Sequence, residues 1–402
     1  MHGISPRTWL FVISLGVLTL NLGGFSVLFN LYLVALGYDA AFVGIVLAAQ
    51  PLGLALVSVP LGLISDRFGR IAVLAVCELI LGLATVGQAL FPDPAPLYAL
   101  GFATGIGVAG FEIVYPIFLT ENSTPRERTQ VFSLAAAVTF LGTSAGQVIG
   151  AFLPNAVDLI SHRLGTELDL LSRYQWSLVA LGVLAVLATA ALVPIREAPR
   201  ERHAPPLRDI LTGLKGRSGQ IVLLSTILGV TIGMTNPFQN LLFVDHLGVS
   251  REFYGLVTST VILANVAGPL LSTRTRRRWG DRWPWIIGRS VMGIILVIMA
   301  LSPNAYLTAG MVWLRGFLVT LITPIMNVFQ MEMIDPKIRS AITGVNIICF
   351  YLGITTGTAA AGWLIATYGY PAPFLVAAAL HVLLFVVPWY YFIRHRDPAT
   401  ST

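Results

Sequence analysis

Long apolar stretches follow one another along almost the whole chain, and they constrain its fold more than any other feature of the sequence. Each has about the 20 residues that an α-helix needs to cross the hydrocarbon core of a bilayer. Of the 402 residues, 56% are apolar and 11% are charged, whereas soluble proteins carry about 25% charged residues. So few charges exclude a soluble globular fold, and so many apolar residues exclude a disordered chain.

Clusters of Pro, Gly and charged residues divide the apolar sequence into twelve stretches. Strands of a membrane barrel alternate apolar and polar residues over about ten positions, and stretches such as 71–91 lack that alternation. We therefore predict an all-α membrane protein. Its predicted spans are residues 8–36, 41–65, 71–91, 96–120, 128–153, 174–194, 219–246, 253–273, 284–302, 304–333, 338–367 and 371–393.

Lys and Arg are distributed unevenly between the two sides of the membrane. With both termini in the cytoplasm, 20 of the 25 Lys and Arg residues lie on the inner side, three lie outside and two lie within spans. Because loops rich in Lys and Arg stay in the cytoplasm, this bias predicts a multi-pass protein of the plasma (inner) membrane with both termini cytoplasmic. The net charge of +6 is then a topology signal. We expect the lipid bilayer as a partner and no nucleic acid.

The two halves of the chain resemble each other. A shift of 211 residues aligns them without gaps over most of their length. Six spans per half is an even number, so both halves start on the same side and form parallel repeats, which are typical of secondary transporters. We predict two pseudo-symmetric six-helix lobes at 1–195 and 219–402, joined by a cytoplasmic linker at 196–218. Matched pairs include Gly105 and Gly316, Glu121 and Glu332, Gly142 and Gly353, and Gly146 and Gly357.

Glycine spacing and loop length give two local predictions. Gly142, Gly146 and Gly150 recur at every fourth position of span 5, which predicts a close approach to a neighbouring helix. The repeat register breaks after this span. There residues 154–173 are predicted to form a long outer loop with a short surface helix.

The connection between spans 2 and 3 carries the most specific motif. It reads Gly62-Leu63-Ile64-Ser65-Asp66-Arg67-Phe68-Gly69-Arg70. This string resembles the signature loop of the major facilitator superfamily, G-x-L-[SA]-D-R-x-G-R, with Ile64 in place of the usual Leu. The twelve-span plan extends the resemblance over the whole chain. The resemblance implies a secondary transporter that works by alternating access between two lobes.

The same resemblance implies a cytoplasmic latch between the lobes. Asp66 is expected near the start of span 11, which Pro336 opens. In the second copy of the motif Asp66 aligns with Arg277, so any second latch must differ. A tight turn with ordinary helix-end charges is the alternative. The candidate gating residues are Gly62, Asp66, Arg67, Gly69, Arg70, Glu121, Arg128, Glu332 and Arg339.

Four ionisable residues, Glu78, Glu112, Arg289 and Arg315, lie well inside spans. A lipid-facing charge at the bilayer centre costs about 2.5–3.5 kcal/mol, so each should face water or a partner. Spans 4 and 10 line the cavity in the family that the chain resembles. Glu112 is therefore predicted to carry a proton, and Arg315 to bind an anionic substrate or to tune Glu112. A fixed buried network is the alternative. Arg289 is predicted to snorkel and Glu78 to be structural.

Polar residues within spans supply candidate substrate contacts. Asn236, Gln239 and Asn240 are predicted to share one face of span 7, beside Pro237, which permits a bend. Interhelical hydrogen bonding is the alternative reading. His381 is predicted to be a packed residue. The further candidates for substrate binding are Asn21, Phe25, Tyr115, Asn327 and Asn346.

These patterns predict a secondary active transporter of a small organic solute. Proton-coupled efflux of amphipathic or drug-like molecules is the first choice, and a carrier of a small organic anion or zwitterion anchored by Arg315 is the alternative. A receptor that does not transport is a further alternative. Six scattered His residues give no catalytic or metal site, so we do not expect an enzyme. The absence of a G-x-x-x-x-G-K-[ST] loop argues against ATP-driven transport. We expect no cofactor and a monomer.

Overall fold

A computed structural model describes residues 6–123, 128–192, 194–195, 217–280, 282–333 and 339–394. Within these ranges it describes all side chains except those at 6–8, 128–129, 217, 263, 282, 327–333, 339–341, 385 and 387–394. The described residues form long helices with short connections. The structure thus has the all-α architecture that the apolar stretches predict.

The helices are numbered here in chain order. In the described part of the chain, eleven helices are long and apolar enough to cross a membrane, and the twelfth contains the apolar stretch Pro371–Leu384. Their bounds are α1 (Pro6–Ala35), α2 (Ala40–Phe68), α3 (Arg70–Leu90), α4 (Pro94–Glu121), α5 (Arg128–Arg163), α6 (Leu170–Ala191), α7 (Arg217–Thr235, continued by Gln239–Leu241 and Leu242–His246), α8 (Arg251–Trp279), α9 (Arg282–Leu301), α10 (Ala305–Met333), α11 (Arg339–Tyr368) and α12 (Pro371–Arg394).

The described residues pack into two compact units. The first lies within Met1–Pro206 and Pro237–Ser259, and the second within Leu207–Asn236 and Thr260–Thr402. The first unit therefore includes the end of α7 and the start of α8. Corresponding helices pair in each unit, α1 with α5 and α3 with α6 in the first, and α7 with α11 and α9 with α12 in the second. This is the pairing that a repeat of six helices predicts.

Glycines permit the closest of these helix crossings. A β-carbon at Gly146 would lie less than 3.0 Å from the Leu20 carbonyl, and one at Gly357 would lie less than 3.0 Å from the Val230 carbonyl. The crossing of α1 with α5 is thus repeated in that of α7 with α11. The prediction of close helix approach at these glycines is confirmed, because no residue with a side chain fits there without a shift of backbone.

The predicted outer loop after span 5 is wrong. α5 continues as one helix through Pro154 to Arg163, and the short surface helix predicted within 154–173 does not form separately. The charged residues after Pro154 support this extension, since Asp158 pairs with His162 one turn on at 3.5 Å and with Arg173 at 2.8 Å. A proline removes only one helical donor, and these contacts hold the helix beyond it.

Candidate functional site

The second unit contains a cavity of about 250 Å³. Five helices contribute to its wall, namely α7, α9, α10, α11 and α12. Its apolar lining residues, here called the apolar wall, are Leu228, Ile232, Met292, Val319, Met326 and Phe350. Its polar lining residues, here called the polar wall, are Arg289, Arg315, His381, Asn346, Ser225, Thr231 and Thr323. A concave site with an apolar wall and a few polar groups is typical of a binding site for a small organic molecule.

Arg315 lies on the polar wall, in the middle of α10. Its Nη2 donates a hydrogen bond to Thr235 Oγ1 at 2.8 Å. Thr235 is itself fixed, because its hydroxyl donates to the Thr231 carbonyl at 2.9 Å. Thr235, the last residue of the first part of α7, thus orients one side of the Arg315 guanidinium. The sequence predicts that Arg315 lines the central cavity of the family that the chain resembles, and in the structure it lines the cavity of the second unit.

Arg289 is the second guanidinium at the cavity. It lies on α9, is 7% exposed, and points its Nη1 towards Met292 Sδ at 3.8 Å. Its Nε has no partner in the part of the molecule that the structure describes. The sequence predicted that this side chain snorkels to the inner surface. Instead, it lines the cavity, as does Met292 one turn later.

In the described part of the structure, no acid at the cavity balances these two positive charges. None of the described residues that line it is Asp or Glu. A buried charge is costly unless it is paired, and a guanidinium binds a carboxylate or phosphate through two parallel hydrogen bonds. The chemistry of this wall therefore suits an anionic group on a molecule whose remainder is apolar.

Asn346 and His381 complete the polar wall. Asn346 lines the cavity from α11, and its Oδ1 has no partner among the described residues. His381 lies on α12 with its Nδ1 2.9 Å from the Ala377 carbonyl. The structure therefore places one predicted substrate residue, Asn346, beside Arg315. Asn327, another predicted substrate residue, has a side chain outside the described part of the structure.

The first unit has the opposite charge at the equivalent position. A shift of 211 residues takes Ser14 to Ser225 and Glu78 to Arg289. Glu78 is buried on α3, and its Oε2 accepts a hydrogen bond from Ser14 Oγ at 2.7 Å. The two units thus share a Ser at this place and differ in the sign of the buried charge beside it.

Glu112, the predicted proton carrier, lies in a π-helical turn of α4 at Gly110–Val114. Pro116 explains this turn, because it has no N–H to donate to the carbonyl four residues earlier, which belongs to Glu112. The Glu112 side chain is exposed in the first unit. Tyr115 follows directly, with its ring stacked on Phe11 and Phe111 at centroid distances of 5.8 Å and 5.3 Å. The structure thus places Tyr115 in an aromatic stack.

Two predicted substrate residues on α1 are buried within the first unit. Asn21 is buried, and both polar atoms of its amide lack a partner among the described residues. Phe25 stacks on Phe29 with centroids 4.4 Å apart. Of the two, Asn21 retains unused hydrogen-bonding groups.

The predicted shared face of Asn236, Gln239 and Asn240 is wrong, because α7 is broken between them. The first part ends at Thr235 and the helix resumes at Gln239. Pro237 causes the break, since it cannot donate to the Gly233 carbonyl, which accepts instead from Thr358 Oγ1 at 3.2 Å. Asn236 is exposed in the break, whereas Gln239 and Asn240 are buried.

Asn240 belongs to a hydrogen-bond cluster that the sequence did not reveal. Asn30 Nδ2 donates to the Pro237 carbonyl and to Asn240 Oδ1, the latter at 2.9 Å. Asn240 Nδ2 donates in turn to the Val27 carbonyl at 3.2 Å. These bonds fix the end of α7 on α1 within the first unit. At the 211-residue shift Asn30 aligns with Leu241 rather than with Asn240, so the repeat carries no signal for this pair.

Arg251 extends this attachment to α5 and α6. Its Nε donates to the Ala151 carbonyl at 3.2 Å, its Nη1 to Tyr174 at 3.3 Å, and its Nη2 to Asn155. Asn155 also donates to Glu252 at 3.1 Å. The start of α8 is thus held in the first unit, with Arg251 making three of the hydrogen bonds.

Replacing Arg251 by Gln should loosen this attachment. The expected result is labelling of a Ser259→Cys reporter by a thiol reagent about tenfold faster, which corresponds to about 1.4 kcal/mol, because hydrogen bonds from a charged donor are lost. Ser259 is buried, and its carbonyl accepts from Ser144 at 2.9 Å. The measurement uses a chain with Cys77 and Cys349 replaced by Ala. Arg163→Gln, at the exposed end of α5, is the control, and equal rates in the two variants would contradict the role of Arg251.

The predicted gating motif lies in helices rather than in a loop. α2 continues through Asp66 and Arg67 to Phe68, and Gly69, with a φ of 93°, separates it from α3. That positive φ explains a glycine at this position.

Arg70 is the centre of the charges at this motif. It binds Ser65 and Asp66, and its Nη2 lies 3.4 Å from Glu121 Oε1. Arg67 lies over the Phe68 ring at 5.5 Å. A β-carbon at Gly62 would meet nothing within 4 Å. The expected partners Arg128, Glu332 and Arg339, and Pro336 before α11, lie outside the described side chains.

Comparison with known proteins agrees with this fold. A solved structure of a single-residue variant of the nucleoside transporter NupG superposes with a TM-score of 0.80 at 15% sequence identity, covering 96% of this chain and 100% of that one. Such a likeness shows the fold alone.

Among the sequence relatives, one is an MFS-type transporter by name and another is a resistance protein by name. The MFS-type transporter YceJ of Bacillus subtilis is 27% identical over 331 residues, which is 80% of this chain and 79% of YceJ. The chloramphenicol resistance protein CraA of Acinetobacter baumannii is 25% identical over 266 residues, which is 64% of this chain and 60% of CraA. The family model of the Major Facilitator Superfamily matches residues 11–222 and 221–402. The chain therefore belongs to the Major Facilitator Superfamily of membrane transporters.

Proposed function

We propose that the protein is a secondary carrier of amphipathic organic anions and that the cavity of the second unit binds the anionic group. The observation that carries this proposal is a pair of guanidinium groups, from the buried Arg289 and the half-buried Arg315, at a cavity whose described lining residues include no acid. This is the alternative that the sequence raised for Arg315, and Arg289 strengthens it.

Energetics support an anion as the occupant. Among the described residues, Arg289 Nε lacks a partner and Arg315 donates a hydrogen bond only from its Nη2. An anionic group would supply acceptors for the remaining N–H groups, and hydrogen bonds of this charged kind contribute about 1.5–3 kcal/mol each. The apolar wall from Leu228 to Phe350 would bury the hydrocarbon part of the same molecule.

Proton-coupled efflux of drug-like molecules is the second candidate. It is supported by the similarity to CraA, a chloramphenicol resistance protein by name, and by the exposed carboxyl of Glu112 on a π-helical turn, a feature frequent at functional sites. In this second candidate, Glu112 carries the proton and Arg315 adjusts the proton affinity of the Glu112 carboxylate. The gating role of the motif around Asp66 and Arg70 belongs to either candidate, as does alternating access.

The proposed setting is the inner membrane, with both termini in the cytoplasm and the protein working as a monomer. The excess of Lys and Arg in the predicted inner loops, 20 against three outside, supports this orientation. The two lobes at 1–195 and 219–402 with their linker remain part of the same proposal.

Counterflow in proteoliposomes tests the proposed substrate class. Vesicles that contain the purified protein are loaded with unlabelled benzoate or octanoate, and uptake of the labelled compound is compared with that of the neutral amides of the same acids. Carboxylates should exchange at least tenfold faster than their amides, because only the carboxylate pairs with the guanidinium groups. Equal exchange of acids and amides, or exchange of chloramphenicol but of no carboxylate, would overturn the proposal in favour of the second candidate.

A further inference from the structure

We propose that His381 binds the proton that accompanies the anion, so that an anion and a proton occupy the cavity of the second unit together. This inference rests on the proposed function, because a bound anion is what makes a third positive charge favourable beside the two arginines. It assigns the coupling ion to a residue that sequence patterns indicate is merely packed.

The tautomer of His381 is set by its own helix. The ring is 5% exposed, and its Nδ1 lies 2.9 Å from the Ala377 carbonyl one turn earlier. A carbonyl oxygen can only accept, so Nδ1 carries a hydrogen and Nε2 is the nitrogen that remains to take up a proton. The histidine lines the cavity, so a proton on Nε2 would add a donor to its polar wall.

The charges that face His381 come from two neighbouring helices. α9 presents Arg289 and α10 presents Arg315, and both act electrostatically on the ring. The other helices at this wall present neutral groups only among the described lining residues, Ser225 and Thr231 from α7 and Asn346 from α11. His381 is also the only ionisable residue of Pro371–Leu384.

Electrostatics then couple the two ligands. Two guanidinium charges repel an imidazolium in the empty cavity, and an anion bound between them attracts it. Linkage requires the effect to be mutual, so a proton on His381 tightens anion binding by the same factor by which the anion tightens proton binding. A proton gradient could drive accumulation of the anion through this coupling.

Comparison of the two units argues against a mere packing role. In the first unit Gly82 of α3 contacts Gly182 of α6, and a β-carbon at either would lie less than 3.0 Å from the other helix. Gly293 is the repeat equivalent of Gly82, and a β-carbon added there would lie 3.4 Å from the β-carbon of His381. At this helix crossing the first unit therefore has a glycine on each helix. The second unit has a glycine on α9 and His381 on α12, and the His381 imidazole lines the cavity.

Calorimetric titration of the purified full-length protein with benzoate, in buffers of different ionisation enthalpy, measures the protons taken up per anion bound. The expected result at pH 7 is uptake of more than about half a proton by the wild-type protein, with an apparent Kd that weakens by up to about tenfold per pH unit on raising the pH. His381→Gln should bind benzoate without proton uptake. His162→Gln, at the exposed end of α5, should behave as the wild-type protein does.

Each outcome decides the matter. Benzoate binding without proton uptake in the wild-type protein overturns the role of His381 and leaves the proposed function standing. Unchanged proton uptake on benzoate binding to the His381→Gln variant also overturns the role of His381. Failure of benzoate, octanoate and phenyl phosphate to bind at all overturns both proposals. Because the wild-type stoichiometry is measured directly, the inference remains testable if His381→Gln fails to fold.

Discussion

Replacing Arg315 by Gln will weaken binding of a carboxylate substrate by about tenfold to about 100-fold. The variant removes a charged donor from the polar wall, and a hydrogen bond to a charged group contributes about 1.5–3 kcal/mol. Arg289 remains beside the cavity, so some affinity should be retained. Scintillation proximity binding with labelled benzoate measures the change. Binding of the neutral amide should change by less than about threefold in the same variant.

Two control variants separate charge from geometry at this position. Arg315→Lys keeps the charge and loses the paired hydrogen bonds, so its affinity should fall between those of the wild type and Arg315→Gln. Thr235→Val removes the acceptor that orients Arg315 at 2.8 Å and should cost less than Arg315→Gln. Equal losses for the acid and the amide would show that Arg315 supports the fold rather than the ligand.

Replacing Gly146 by Leu will prevent the protein from reaching its folded state. The α-carbon of this residue lies against Leu20 so closely that a β-carbon would meet the carbonyl and backbone of α1 at less than 3.0 Å. Backbone atoms of α1 cannot move aside as the end of a flexible side chain can. Gly142 and Gly150 line the same crossing, so the helices cannot separate at one point alone. The yield of monodisperse protein after size-exclusion chromatography in detergent should fall at least tenfold.

Gly310→Ala is the matched control for this prediction. Gly310 lies inside α10, and a β-carbon there would meet nothing within 4 Å. Alanine should therefore be neutral or stabilising, since it is favoured over glycine within helices by about 1 kcal/mol. Normal yield of Gly146→Leu, or equal losses in the two variants, would contradict the packing argument.

The architecture could be predicted because its signals are repeated along the chain. Twelve apolar stretches, the inner excess of Lys and Arg and the 211-residue repeat agree with one another. The close crossings at Gly146 and Gly357 follow from spacing, because glycines one turn apart present one bare face. These features depend on patterns that repeat along the sequence, and such patterns can be recognised without knowledge of any tertiary contact.

The candidate site was only partly predictable, because the sequence does not show which face of a helix turns towards a cavity. Arg315 was found from its depth in a span. Arg289 was assigned to the membrane surface, since its distance from a helix end does not reveal whether α9 turns it towards a cavity. The proposed role of His381 and the hydrogen bonds of Asn30 depend on neighbours far away in sequence. Pro237 predicts a bend in α7, but the sequence does not show that the bend separates Asn236 from Gln239 and Asn240.

The break at Pro237 also bears on the modular engineering of this carrier. In a transporter built from two repeats, halves can be exchanged between relatives by joining them in the linker, here near residues 196–218. The boundary between the two packed units does not coincide with this linker, because Pro237–Ser259 belongs to the first unit. A chimera would carry Asn240 and Arg251 from one parent and their acceptors on α1, α5 and α6 from the other. Compatible parents must therefore match in these buried contacts as well as in the linker.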